Sequence, residues 1–212
     1  MTSQHADLRT IAATVHGRYL VQRGPAERLL VGFHGYGEDA EIHLTDLLKI
    51  PGIEQWTVAS VQALNRFYRG RSTETAGCWM TRQDRELAIA DNIANVQKVV
   101  ATFAGAKTIV FAGFSQGVAM AYRAAANIRS DGVIALGGDV PPDVREALPP
   151  VLIGRGVSDD WYTTEKFEKD LNVLQAITKV TTCVYDGRHE WTDEFRDAAA
   201  RFLSSCLTVS KG

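Results

Sequence analysis

The segment Ile109–Met120, IVFAGFSQGVAM, passes directly from an apolar run into a helical pattern. The turn between the two, Gly113–Gly117, fits Gly-x-Ser-x-Gly, a pattern typical of a sharp strand-to-helix turn that lifts the serine above a sheet. The flanking glycines remove the Cβ atoms that would otherwise collide in such a turn. We therefore predict that Ser115 is a nucleophile at the end of a strand.

Short apolar runs alternate with helical patterns on both sides of this turn, which is typical of βαβ units and a mostly parallel sheet. From Arg28 onward the runs are apolar at successive residues, as in strands covered on both faces. The first run alternates more and is predicted to be an antiparallel edge strand. The predicted strands are Ala13–Val21, Arg28–Phe33, Trp56–Val61, Thr108–Gly113, Gly132–Leu136, Val151–Gly154 and Lys179–Tyr185.

Helices are predicted between these strands. They are Glu38–Leu48, a long helix opened by a capping box at Thr81–Asp84, a helix started by Thr163 or Thr164, and a last helix capped by Thr192. One long segment has no clear period: residues 64–79 are polar and Arg-rich, and we predict a long loop on the side of the active site. The predicted class is α/β, with helices on both faces of the sheet.

Length and composition limit the choice further. The 212 residues, 45% hydrophobic and 23% charged, predict one globular domain over residues 1–212, with residues 1–12 as a flexible tail. A net charge of −2 provides no basic field for nucleic acid. The three cysteines lack pair or metal-finger spacing, and no signal peptide or membrane-spanning stretch is recognised. We expect a cytoplasmic protein without integral membrane association.

A serine hydroxyl needs a neighbouring base before it can attack, so the turn at Ser115 calls for a histidine. Of the five histidines, only His189 comes late enough for the chain order nucleophile, acid, base of this fold class. It follows the last predicted strand, where a parallel sheet places its functional loops. We predict that His189 is the general base.

The third partner should be a carboxylate on the loop after the predicted strand Val151–Gly154, where it would orient the imidazole. That loop contains Asp159 and Asp160, and sequence alone does not separate two adjacent aspartates. We favour Asp159 and keep Asp160 as the alternative.

A tetrahedral intermediate needs hydrogen-bond donors for its oxyanion. We predict two backbone N–H groups: that of Gln116, which follows the nucleophile, and that of Tyr36, in the glycine-rich loop His34–Gly37. His34 itself is interpreted as a structural residue that orients this loop.

Taken together, these motifs resemble the α/β-hydrolase fold and, more narrowly, the phospholipase/carboxylesterase family of small serine esterases, which includes acyl-protein thioesterases. The resemblance covers about Arg28 to Leu207, and its most specific parts are the Ser115-Gln116 pair and the loop His34–Gly37. It implies a sheet without a cap domain and hydrolysis of carboxylic esters or thioesters through an acyl-Ser115 intermediate. It also implies a small-molecule substrate and no metal or organic cofactor.

Three positions depart from the family pattern: Glu38-Asp39 after the oxyanion loop, the segment Cys78–Thr81, and Arg188 directly before the predicted base. The first two lie where substrate would approach. Lipid or acyl-protein specificity is therefore not carried over from the resemblance.

Large side chains near these motifs are candidate walls of a substrate site: Tyr36, Trp79, Met80, Trp161 and Trp191. With no clear cap insertion, we expect a shallow site for small to mid-sized esters.

Three arginines in the long loop, Arg66, Arg69 and Arg71, could meet an anionic substrate, but a solvated basic loop is the favoured interpretation. Oligomeric state is not fixed by any feature of the sequence. A serine peptidase or amidase, or a non-catalytic binding protein on the same fold, are the alternative functions.

Overall fold

The computed structural model describes residues 6–209 of the chain. Of the predicted tail, residues 1–5 lie outside the described part, and residues 6–12 have no helix or strand and are exposed. Within residues 6–209, no helix combines the length and the apolar character needed to cross a membrane.

A seven-stranded sheet forms the centre of the described chain, with the strand order β1-β3-β2-β6-β7-β8-β9. All neighbouring pairs are parallel except β1 and β3, so the prediction of an antiparallel edge strand is confirmed, although this strand is Tyr19–Gln22 and not the predicted Ala13–Val21. A separate antiparallel hairpin is formed by β4 and β5. The strands are β1 Tyr19–Gln22, β2 Arg28–Phe33, β3 Thr57–Val61, β4 Asn65–Tyr68, β5 Thr75–Cys78, β6 Thr108–Phe114, β7 Gly132–Leu136, β8 Val151–Gly156 and β9 Val180–Tyr185.

The described chain contains five α-helices and one short 3₁₀ helix, Ile53–Gln55; the last α-helix follows the final strand, and the others lie between strands. The α-helices are α1 Ala40–Leu47, α2 Arg85–Ala101, α3 Gln116–Asn127, α4 Thr164–Gln175 and α5 Asp193–Val209. The Thr192 cap is confirmed, since its hydroxyl accepts the amide of Phe195 at 3.3 Å.

Strand residues of alternating parity feed two separate cores, because successive side chains point to opposite faces of a sheet. In β2, Leu29 and Val31 pack into one core with side chains of α2, α3 and α4, whereas Leu30 packs into the other with α1 and α5. All three leucine and valine side chains are fully buried. Helices therefore cover both faces of the sheet, as predicted.

Two local predictions were wrong. Residues 64–79 are not a plain loop, because β4 and β5 pair within them; every residue of β4 is exposed, so no apolar run marks it. The capping box also fails. The Thr81 hydroxyl donates to the carbonyl of Gln83, and Asp84 adopts a positive φ of 47° without a capping bond, so α2 begins at Arg85.

Candidate active site

Ser115 occupies the sharp turn between β6 and α3, with a φ of 52° and a ψ of −121°. Its amide donates to the carbonyl of Leu136 at 2.9 Å, which anchors this strained conformation to β7. The turn allows no side chain on either flank. A Cβ on Gly117 would lie 2.0 Å from the carbonyl oxygen of Phe33, and one on Gly113 would lie 2.5 Å from that of Gly117.

His189 and Asp159 form a hydrogen-bonded pair above the ends of β8 and β9. Nδ1 of His189 lies 2.8 Å from Oδ2 of Asp159, and the other oxygen, Oδ1, accepts the amides of Trp161 and Tyr162 at 2.9 and 2.8 Å. The Asp159 side chain is fully buried and that of His189 is 19% exposed. Since an ionised carboxylate can only accept, Nδ1 carries the ring hydrogen and Nε2 remains free to accept a proton.

The neighbouring aspartate, Asp160, is exposed and makes no hydrogen bond or ion pair with the residues that the structure describes. The backbone turn at this point therefore directs one aspartate inward and the next outward. Of the two candidates left open by the sequence, Asp159 is the one that contacts His189.

Ser115 and His189 line the same cavity, which has a volume of about 320 Å³. The His189 ring packs against Phe114, with centroids 4.9 Å apart, and approaches the backbone of Gly137 so closely that a Cβ there would lie 3.0 Å from ring Cε1. Among the hydrogen bonds of the described residues, none joins the Ser115 hydroxyl to the ring.

Two side chains hold the loop His34–Gly37 in place: His34, which is buried, and Glu38, which is partly buried. Nδ1 of His34 lies 2.7 Å from the carbonyl of Gly35, while Nε2 accepts the amide of Ala63 at 3.1 Å. Burial lowers the pKa of His34, which keeps it neutral in this arrangement. The Glu38 carboxylate accepts the amide of Gly35 at 2.7 Å, and burial raises the pKa of Glu38. The structural role predicted for His34 matches these contacts.

The hairpin β4–β5 holds the same loop from outside. The amide of Gly37 donates to the carbonyl of Gly77 at 3.0 Å, and the amide of Gly77 donates to the carbonyl of Glu38 at 2.7 Å. Arg69 adds a third bond, from Nη2 to the carbonyl of Gly37 at 2.7 Å.

The other two arginines of this segment are not part of that contact. Arg66 donates to the carbonyl of His16 at 3.0 Å, and Arg71 is exposed. None of the three arginines lines the cavity that contains Ser115.

Two backbone amides fit the predicted oxyanion donors. That of Gln116 belongs to the first residue of α3 and has no acceptor within the helix. That of Tyr36 has no acceptor among the described residues. The Gln116 side chain is used elsewhere: it accepts the amide of Trp79 at 2.9 Å and donates to the carbonyl of Met80 at 3.0 Å. It thereby fixes the segment that follows β5, a role that the sequence did not suggest.

Two of the predicted wall residues, Met80 and Trp161, line the cavity. Trp79 is fully buried, and its Nε1 donates to the carbonyl of His34 at 2.8 Å. It therefore belongs to the packing beneath the site and not to its wall, which corrects the interpretation made from the sequence. Trp191 lines a second cavity, of about 340 Å³, that also touches His189. Tyr36 is 64% exposed and lines neither cavity.

A buried carboxylate that the sequence analysis missed links two loops of the site. Oδ2 of Asp170, on α4, accepts the amide of Val140 at 2.9 Å and the hydroxyl of Tyr162 at 3.0 Å. Val140 lines the cavity, and Tyr162 donates its amide to Asp159. Burial raises the pKa of Asp170. An aspartate within a helical pattern has no local signal that would have revealed this role.

A second contact that the sequence analysis did not predict supports Met80, a wall residue of the cavity. Arg123, on α3, makes two 2.7 Å hydrogen bonds to the carboxylate of Asp143 and a 3.3 Å contact from Nη1 to Sδ of Met80. Its side chain is only 2% exposed. The side-chain hydrogen bonds from Arg123 lower the pKa of the Asp143 carboxyl group.

In the part of the chain that the structure describes, no group of three or more His, Cys, Asp or Glu side chains converges as metal ligands would.

No protein-family model matches this sequence, and no curated protein sequence matches it either. Solved structures do resemble it over most of its length. A phospholipase/carboxylesterase from Dyadobacter fermentans is 21% identical, with a TM-score of 0.68 over 91% of this chain and 99% of that one. The Bacillus cereus carboxylesterase is 20% identical, with a TM-score of 0.70 over 90% and 94%. Zea mays acyl-protein thioesterase 2 is 18% identical, with a TM-score of 0.70 over 91% and 100%.

At these identities the similarity shows a shared fold. This chain therefore has the fold of these esterases, a mostly parallel central sheet with helices on both faces, and the predicted α/β-hydrolase fold is confirmed.

Proposed function

We propose that the protein is a serine hydrolase of the phospholipase/carboxylesterase family that cleaves carboxylic esters, and thioesters with the same chemistry. The observation that carries this proposal is the Asp159–His189 hydrogen bond beside the cavity that contains Ser115. The fold shared with carboxylesterases and an acyl-protein thioesterase supports it. A carboxylesterase-type activity requires neither a metal nor an organic cofactor in this mechanism.

In the proposed mechanism, Oγ of Ser115 bonds to the substrate carbonyl carbon while its proton passes to Nε2 of His189. The amides of Tyr36 and Gln116 donate to the oxygen that becomes negative. When the carbon–oxygen or carbon–sulfur bond of the ester breaks, His189 returns the proton to the leaving group. Water then attacks the acyl-Ser115 in the same way and releases the acid.

Proton transfer requires the Ser115 hydroxyl to turn toward the ring, since the two groups are not hydrogen-bonded in this structure. Such bonds are often long without substrate and tighten in the complex. The backbone of Ser115 is held by its bond to Leu136, and its side chain lines the same cavity as His189. His189 is already oriented by Asp159.

The cavity volume of about 320 Å³ is at the small end of ligand sites and favours small to mid-sized acyl groups. We also propose a cytoplasmic location, on the ground that the three cysteines lack the spacing of a disulfide framework.

The test is a comparison of Ser115→Ala with Ser204→Ala on 4-nitrophenyl butyrate. Loss of the nucleophile should lower kcat by about three or more orders of magnitude. Ser204 is an exposed residue of α5 and serves as the matched control, which should keep wild-type turnover. A fluorophosphonate probe should label wild type and Ser204→Ala only.

Turnover of Ser115→Ala at the wild-type rate would overturn the proposal. Parallel assays with peptide 4-nitroanilides separate an esterase from a peptidase: cleavage of the anilides in preference to the esters would replace the proposed activity by the alternative one.

A further inference from the structure

The cavity beside Ser115 contains more positive than negative charge. Apart from His189, its charged wall residues are Arg85, Lys166 and Asp139. Nζ of Lys166 lies 3.7 Å from Oδ2 of Asp139 and donates to the carbonyl of Trp161 at 2.8 Å. Lys166 and Asp139 therefore compensate each other, and the remaining charge of the wall is that of Arg85.

The side chain of Arg85 is exposed and makes no hydrogen bond or ion pair with any residue in the range 6–209. The carboxylate that its charge influences, Asp143, is already bound by two hydrogen bonds from Arg123, and Arg85 adds only a weaker electrostatic effect on the pKa of Asp143. All five guanidinium N–H donors of Arg85 are thus available to a ligand.

The surrounding backbone adds to this positive potential. Arg85 is the first residue of α2 and Gln116 is the first residue of α3, and both line the cavity, so two helices begin there. The N-terminus of a helix carries a partial positive charge. Asp84, which precedes α2, makes no capping bond that would occupy its first amides.

We propose that the substrate of this site carries a carboxylate, and that Arg85 binds it and determines the specificity for it. The inference rests on the proposed hydrolase function, since it concerns the same cavity. A guanidinium matches a carboxylate with two parallel hydrogen bonds, which gives orientation as well as attraction. Because the cavity is small, we expect only a short chain of atoms between this carboxylate and the carbonyl that Ser115 attacks.

The experiment compares matched charged and neutral esters. The pair with the charge on the acyl side is the 4-nitrophenyl monoester of adipic acid and 4-nitrophenyl hexanoate. The pair with the charge on the alcohol side is 4-carboxyphenyl butyrate and phenyl butyrate. For each pair, the ratio of kcat/KM for the charged ester to that for the neutral ester is measured in wild type, Arg85→Gln, Arg85→Glu and Arg82→Gln.

We expect Arg85→Gln to lower this ratio about tenfold in one of the two pairs, and Arg85→Glu to lower it further. Added salt should reduce the ratio in wild type more than in Arg85→Gln, because the interaction is electrostatic and partly exposed. Arg82 is exposed, lies three residues away and does not line the cavity, so Arg82→Gln should keep the wild-type ratio. Equal ratios in wild type and Arg85→Gln for both pairs would overturn the inference.

A binding measurement separates this inference from the proposed function. Adipate binding to Ser115→Ala is followed by saturation-transfer NMR, with and without the additional Arg85→Gln substitution. If wild type hydrolyses none of the four esters, the proposed function fails and the adipate measurement alone decides about Arg85. In that case, loss of adipate binding with Arg85→Gln supports the anion site, and unchanged binding overturns it.

Discussion

The Asp159–His189 pair and the wall of the adjacent cavity differ in how firmly the protein holds their side chains. The Asp159 side chain is fully buried, and both of its oxygens accept hydrogen bonds: Oδ2 from the His189 ring and Oδ1 from two backbone amides. On the cavity wall, Trp161 is 76% exposed, Lys166 is 48% exposed, and Arg85 has no bonded partner among the described residues. The Asp159–His189 pair is therefore fixed by buried hydrogen bonds, whereas the side chains of the cavity wall are exposed and held by few contacts.

This difference indicates which properties of the protein can change independently. Replacing Asp159 would leave buried hydrogen-bond donors without an acceptor, so the proposed chemistry depends on a group that the fold also needs. Surface substitutions away from such buried contacts usually change stability by about 0.5 kcal/mol or less. The substrate preference can therefore be altered at the wall while the acid–base pair stays intact.

The largest effect is expected from the two adjacent aspartates. Asp159→Asn should lower kcat by about 10³–10⁴-fold, because an amide next to Nδ1 favours the wrong tautomer of His189. Asp160→Asn should leave kcat within about twofold of wild type, since Asp160 is exposed and unbonded. The measurement is steady-state hydrolysis of 4-nitrophenyl butyrate, with circular dichroism as the control for folding. A large loss with Asp160→Asn and none with Asp159→Asn would reverse the assignment.

The same difference explains how much of the site could be predicted from sequence. Ser115 is predicted as the nucleophile because its turn imposes glycines at fixed positions, and those glycines avoid contacts as short as 2.0 Å in the structure. His189 is predicted as the base because chain order constrains it. The choice between Asp159 and Asp160 depends on the direction of one backbone turn, and adjacent residues of the same type give no signal about that direction.

Contacts between distant segments account for what the sequence did not reveal. Asp170 accepts a hydrogen bond from Tyr162, which is close in sequence, and a second one from the amide of Val140, which lies 30 residues before Asp170. The second bond, which links Asp170 to the cavity wall, could not be predicted from the local sequence.

The hairpin β4–β5 was missed because every residue of β4 is exposed and β5 buries only the three residues Ala76–Cys78, so neither strand shows a long apolar run. The five inner strands were predicted almost completely, because strands buried on both faces have apolar runs that the sequence shows directly. The edge strand β9 departs from this prediction, since Thr181, Thr182 and Val184 are exposed.

A second prediction concerns the support behind the cavity. Asp143→Asn should lower the free energy of unfolding by about 1–2 kcal/mol at pH 7, because the buried Arg123 loses a charged partner that is itself half-exposed. The folded-state pKa of Asp143 is lowered, so its contribution is present above the unfolded pKa and disappears as the pH falls through the folded one. Urea unfolding at several pH values tests this.

The control for Asp143→Asn is Asp160→Asn, which removes an exposed carboxylate without a partner and should leave the unfolding curve unchanged. A difference between wild type and Asp143→Asn that persists undiminished at the most acidic pH would contradict an origin in the ion pair. A packing change would account for such a result instead.

The smallest effect is expected where the hairpin meets the oxyanion loop. Arg69→Met removes one hydrogen bond to the carbonyl of Gly37, while the two backbone bonds between Gly77 and this loop remain. A bond worth about 1 kcal/mol corresponds to about a fivefold decrease in rate. In the proposed mechanism the Tyr36 amide acts on the oxyanion only in the transition state, so the decrease should fall on kcat and leave KM unchanged. Arg71→Met removes an exposed arginine of the same hairpin that makes no such bond, and it should change neither constant.

An increase in KM at constant kcat for Arg69→Met would mean that this arginine contacts the substrate directly. The hairpin β4–β5 would then be part of the wall that binds substrate. The part of the site that is fixed by the fold would be limited to residues nearer to Ser115.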